Sequence, residues 1–230
     1  MLILFILLEI VMVTCFSVTR IRGQQYAALI LKALSSAVFL LLGIWALGTL
    51  PSAFSIFVCA GLLFGLLGDV WLDLRWIDTP HQDFYTFAGF GSFSAEHIVL
   101  LAGFFACFAA GMPLPGVILP LVIAAAAGVL IGLAGPLLKL DYGRFRGIII
   151  FYAFCLCSVV LTACSRALSA GFKDPSADLF LVGSIFFLIS DLILSGTYFG
   201  KGKNRPADVI ANHTCYYLGQ FLMALSLLFA

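Results

Sequence analysis

Eight apolar stretches follow one another along this chain, at residues 2–18, 26–47, 53–72, 84–110, 115–134, 147–170, 178–199 and 208–230, with short connections between them. A helix needs about 20 mostly apolar residues to cross a bilayer. In lipid, every backbone donor and acceptor must be paired within a helix or around a closed barrel. Barrel strands alternate apolar and polar residues, whereas these runs are continuous. The pattern predicts an all-α protein: a polytopic membrane helical bundle with eight transmembrane helices in a single transmembrane domain, residues 1–230. Composition agrees, at 63% hydrophobic and 10% charged residues, against about 25% charged in a soluble domain. A net charge of +1 argues against a nucleic-acid partner. The first stretch carries Glu9 and no basic residue ahead of it, so it reads as a spanning helix rather than a cleaved signal. Pro51, Pro113, Pro115, Pro136, Pro175 and Pro206 fall at or beside the connections, where proline punctuates helices. The seven cysteines all lie in apolar segments and read as small buried apolar residues, not as disulfide partners.

Against that background two aspartates stand out. Asp69 follows Gly61-Leu-Leu-Phe-Gly-Leu-Leu-Gly, and Asp191 follows Gly183-Ser-Ile-Phe-Phe-Leu-Ile-Ser. Both contexts have Gly at position 1, Phe at 4, Leu at 6, a small residue at 8 and Leu at 12. A carboxylate within a membrane helix costs roughly 2.5–3.5 kcal/mol on insertion scales, so a matched pair suggests joint use. Asp69 falls in the third helix and Asp191 in the seventh, the third of each four-helix half. A 4+4 parallel repeat would have its pseudo-two-fold axis along the membrane normal, holding the two aspartates at one depth and facing each other. The plainer account is helix–helix hydrogen bonding, with gains often below about 1 kcal/mol. Asp73, Asp78 and Asp83 read as loop and helix-start residues.

Basic residues give the orientation. Arg20, Arg22, Lys32, Arg75, Lys139, Arg144, Arg146, Lys201, Lys203 and Arg205 lie on or beside the odd-numbered connections; Arg166 and Lys173 lie on the even-numbered ones. Ten against two places the odd-numbered connections in the cytoplasm. Both termini are then expected outside it, with the aspartates in the cytoplasmic halves of their helices. Arg144 and Arg146 are expected to contact anionic lipid headgroups there.

Four segments, in order, resemble those of the lysoplasmalogenase, or YhhN-like, family. They are Leu66-Leu67-Gly68-Asp69; Phe93-Ser94-Ala95-Glu96-His97; Phe186-Phe187-Leu188-Ile189-Ser190-Asp191; and Tyr216-Tyr217-Leu218-Gly219-Gln220. Lys32 stands where the family has a Lys-Pro pair, with Ala33 in place of the proline. The resemblance implies an intramembrane hydrolase. It would cleave the vinyl ether of lysoplasmalogens to a fatty aldehyde and a glycerophospho-headgroup. The partner expected is a lysophospholipid within the membrane, with no cofactor and no metal. A bacterial inner membrane is the expected location.

The residues suit that chemistry. Protonating the β-carbon of a vinyl ether gives an oxocarbenium ion, which water attacks; the hemiacetal then collapses. A general acid, a stabilising anion and a placed water suffice. Asp69 and Asp191 are the candidate catalytic pair, one protonated and one ionised, as in glycosidases. His97 would orient an aspartate or a water, or else bond a backbone carbonyl. Tyr216 and Gln220, at i and i+4 on one face, would line the pocket with Tyr217, about 12 Å along the helix at 1.5 Å per residue. Tyr152 is a further lining candidate. Lys32 would snorkel or hold the lipid phosphate. Glu96, on a different face from His97, would pair with a basic residue or face a polar cavity. His81 reads as solvated and His213 as interfacial. Two other readings compete. A proton-coupled carrier of a small molecule or lipid could use the same aspartates, although Gly61, Gly65 and Gly68 read as close helix packing rather than a broken helix. A zinc hydrolase would need three converging histidines, and the chain has three in all.

Overall fold

The computed structural model describes residues 1–200 and 205–229. Eight helices run α1 (Leu2–Ile21), α2 (Gln25–Thr49), α3 (Ala53–Leu74), α4 (Gln82–Cys107), α5 (Leu114–Ala134), α6 (Arg146–Ser169), α7 (Pro175–Phe199) and α8 (Pro206–Ser226). Each falls on an expected apolar stretch, with ends moved by a few residues. The ends have local causes. The Ser52 hydroxyl accepts from Ser55 N at 3.1 Å and caps α3. Asp174 accepts from the amides of Ser176 (3.1 Å) and Ala177 (3.3 Å) and caps α7, where Pro175 occupies the first helical position. Gly23, at φ +74°, turns the chain sharply between α1 and α2, a conformation that favours glycine.

Seven of the helices are long and apolar enough to cross a membrane. The expected eighth, α8, is of similar length but too polar to meet that standard. Its polar side chains explain why: Asn212, Tyr216, Tyr217 and Gln220 are buried. α8 therefore sits inside the bundle and turns its polar face to other helices, not to lipid. α1 and α5 are the opposite case and expose most of their length.

The packing of the two halves corresponds in its main contacts, although α1–α8 and α3–α8 have no equally close counterpart. α3 packs on α4 as α7 packs on α8; α1–α2 matches α5–α6, α2–α3 matches α6–α7, and the cross contact α8–α2 matches α4–α6. These are the neighbours a two-fold repeat would bring together. Close approach in the two tightest hairpins depends on glycine. A methyl group at Gly68 would lie 2.8 Å from the Phe93 ring, and one at Gly219 would lie 2.7 Å from the Gly183 carbonyl oxygen and 2.8 Å from Phe187 N. Backbone atoms cannot rotate aside, so Gly219→Ala must push α7 and α8 apart. The expected loss is about 1–3 kcal/mol, read as a lower thermal midpoint of the detergent-solubilised protein. Gly147→Ala, which meets nothing within 4 Å, is the control; equal midpoints for both would refute the close contact.

The C-terminal ends of α1, α3, α5 and α7 and the N-terminal ends of α2, α4, α6 and α8 lie at one end of the bundle, the basic end. Lys201 and Lys203, between α7 and α8, lie outside the described residues. Arg205 is described, and its guanidinium bonds Asp208 at the start of α8 at 2.9 Å.

Candidate active site

A cavity of about 280 Å³ enters the bundle from the basic end, between α1, α2, α3, α7 and α8. Arg20, Gln25 and Trp76 stand around its mouth; Asp69, Asp191, Phe93 and Tyr216 line its depth. The two aspartates thus come from helices that hardly touch each other, and they meet a common space.

Asp69 is buried and surrounded by donors. Ser36 Oγ and Tyr216 OH each donate to its Oδ2 at 2.6 Å, and Lys32 Nζ lies 3.2 Å from Oδ1. One turn on, Asp73 receives the same ammonium at 3.2 Å and the guanidinium of Arg20. Arg20 also donates to Gln25. The result is an alternating series of two cations and two carboxylates joining α1, α2 and α3. Two expectations change here. Lys32 does not snorkel; it is 5% exposed because two carboxylates hold it within the bundle. Asp73 is no loop residue: it lies within α3 and is buried, since i and i+4 share a helix face and both aspartates turn toward Lys32.

Asp191 is partly buried and accepts a hydrogen bond from Tyr152 across the α6–α7 contact. Beside it, Asn212 Nδ2 donates to the Ser190 carbonyl at 2.6 Å and ties α8 to α7. Tyr217 donates to the Lys32 carbonyl at 3.1 Å and ties α8 to α2. Gln220 Nε2 donates to Glu96 Oε1 at 2.7 Å and reaches the Tyr216 hydroxyl at 3.4 Å. Glu96 is fully buried and has neither of the two settings expected, a basic partner or a polar cavity; its bonding partner is the Gln220 amide. Gly65 makes the space: a methyl group there would lie 2.8 Å from Gln220 Nε2 and 2.9 Å from Glu96 Oε2.

The histidines divide. His97 Nδ1 donates to the Phe93 carbonyl at 2.6 Å, and its ring packs edge-on to Phe187 and Tyr152; of its two expected roles, the backbone bond is the one seen. His213, expected near the interface, stands in the second turn of α8 and is half-buried. It lines the cavity, donates to the Val209 carbonyl at 2.7 Å and packs edge-on to Phe16. His81 is exposed and bonds Asp78 in the α3–α4 connection at 3.0 Å. Among the described residues no group of three or more His, Cys, Asp or Glu is placed to hold a metal ion.

Sequence reasoning passed over Arg20, Asp73, Ser36 and Asn212 as site residues. For Asp73 the signal was present, as a second carboxylate at i+4 opposite a lysine. Ser36 and Asn212 gave none, because polar residues of helix interiors usually bond their own backbone.

The model of the YhhN family matches residues 27–227, which leaves the whole of α1 outside the match. No curated protein and no solved structure matches the chain.

Proposed function

We propose that this chain, which belongs to the YhhN family, is an intramembrane hydrolase cleaving the vinyl ether of alkenyl lysophospholipids. The observation that carries the reading is the shared cavity with two unlike aspartates on its wall. Asp69 faces an ammonium and two hydroxyl donors, a setting that suits a standing anion. Asp191 has the single donor Tyr152 and is assigned the role of general acid.

In this mechanism Asp191 delivers its proton to the β-carbon of the vinyl ether. The π electrons form the new C–H bond, and the cation left on the α-carbon is shared with the ether oxygen. Asp69 stabilises that oxocarbenium ion. Water adds to the α-carbon and gives up a proton to Asp191, restoring the acid. The hemiacetal then loses the glycerol oxygen as an alcohol and leaves a fatty aldehyde. No metal and no nucleophilic serine take part in this sequence.

The basic end is assigned to the cytoplasmic face, by the distribution of Lys and Arg, with both termini outside and a bacterial inner membrane as host. Arg144 and Arg146, both exposed, suit anionic headgroups, although Arg144 also pairs with Asp83. The test is direct. Purified protein in detergent, given an alkenyl lysophospholipid, should release one aldehyde per headgroup freed, and the 1-acyl analogue should release none. A carrier that moves its ligand intact would yield no aldehyde, and that result would retire the hydrolase reading.

A further inference from the structure

We infer that a second, apolar slot beside Asp191 receives the first carbons of a hydrocarbon chain, which enters sideways from the lipid between α7 and the α5–α6 pair. The inference rests on the hydrolase reading, because it places an amphiphile's chain relative to the acid of that reaction. The slot measures about 40 Å³ and is walled by Phe90, Ile131, Ile149, Cys157, Leu188 and Leu192. It shares Asp191 and Leu194 with the polar cavity, and Tyr152 lines it while donating to Asp191. A charged, polar space and an apolar one therefore meet at one carboxyl group.

The slot is closed toward the water at the basic end. Asp141 N donates to the Phe199 carbonyl at 2.9 Å, and Leu140 pairs with Gly200, joining the α5–α6 and α7–α8 connections. Phe199 packs there against Tyr142 (ring centroids 5.2 Å apart), Phe145 (6.0 Å) and Phe90 (6.2 Å). On the outer face of the bundle, Leu192 stands at the rim with 61% exposure. A group reaching the slot from outside must cross lipid, which selects for hydrocarbon.

The size sets how much chain fits. A water needs about 10–15 Å³ by this measure, so the slot has room for on the order of three heavy atoms. The rest of the chain then stays in the bilayer. An amphiphile with its polar part in the large cavity and its chain in the slot has its polar–apolar boundary at Asp191. In an alkenyl lysophospholipid that boundary is the vinyl ether itself.

The experiment introduces a thiol into the slot with Ser195→Cys, a near-isosteric change at a lining residue. Its modification by methyl methanethiosulfonate is followed by mass spectrometry on the peptide carrying it, so the native cysteines remain in place. A non-cleavable 1-O-alkyl lysophospholipid at ten times its Kd should slow labelling about tenfold, and glycerophosphocholine, which lacks the chain, should not slow it. Equal rates with and without the alkyl lipid overturn the inference. Protection by both compounds also overturns it, since the headgroup alone would then account for the effect. Leu192→Cys at the rim gives the same readout if Ser195→Cys does not fold. Labelling does not depend on turnover. Protection without aldehyde release would retain the slot and remove the hydrolase reading, and aldehyde release without protection would do the reverse.

Discussion

Asp191→Asn is expected to lower the turnover of an alkenyl lysophospholipid by about 10²–10⁴-fold, the usual contribution of a placed general acid, without unfolding the protein. The side chain keeps its size, and the amide oxygen can still accept from Tyr152, so no buried hydroxyl is left unpaired. What is lost is the transferable proton. The fall should appear in kcat with KM little changed, because in the proposed mechanism the aspartate meets the reacting carbon and not the headgroup. Asp69→Asn should also fall steeply, through loss of the anion that stabilises the oxocarbenium ion. The double variant should be little worse than the poorer single one, since groups that act as a unit are not additive. Rates of aldehyde formation, with circular dichroism and melting curves on the same samples, decide the matter. A Asp191→Asn protein with normal kcat would remove the acid from this position.

The second large effect is on stability. Lys32→Met should cost about 3–5 kcal/mol, the range for removing one partner of a buried charge pair. Lys32 lies 3.2 Å from both Asp69 and Asp73. Without its ammonium the two carboxylates are left one turn apart on α3, with Arg20 holding only Asp73. Adding Asp73→Asn should recover part of the loss by removing one of the stranded charges. Lys32→Met tests the ion pair separately from the chemistry, because it should lower the thermal midpoint in the absence of any substrate. An unchanged midpoint would mean that the ammonium is not shared between these aspartates.

The helices were legible because lipid leaves the backbone no other way to pair its polar groups, so each long apolar run had to be α-helical. The aspartate pair was legible for the same reason, as each charge stood out against its segment. The partners were harder to read. Lys32 looked like a snorkelling residue, because its helix alone shows a cation near one end and gives no sign that α3 turns two carboxylates toward it. Asp73 looked like a loop residue, because hydropathy fades just where α3 continues. α8 was legible as an eighth helix with pocket-lining residues, and the same polar residues, Asn212, Tyr216, Tyr217 and Gln220, are the reason it lies inside the bundle. Gln220 was visible as a face-mate of Tyr216, but its bond to Glu96 depends on the space at Gly65, which only three-dimensional packing reveals.

The order of these contacts along the chain bears on how such a protein enters a membrane. Lys32 meets Asp69 and Asp73 between consecutive helices, α2 and α3, and Tyr152 meets Asp191 between α6 and α7. A charged side chain inserted alone carries the full penalty of its helix. A hairpin that enters as a unit brings the counter-charge or hydroxyl with it, so the costly groups are partnered before α8 arrives to complete the site. Each of these buried polar groups thus has its partner on the neighbouring helix of the chain, so a hairpin rather than a single helix is the unit in which their cost is offset.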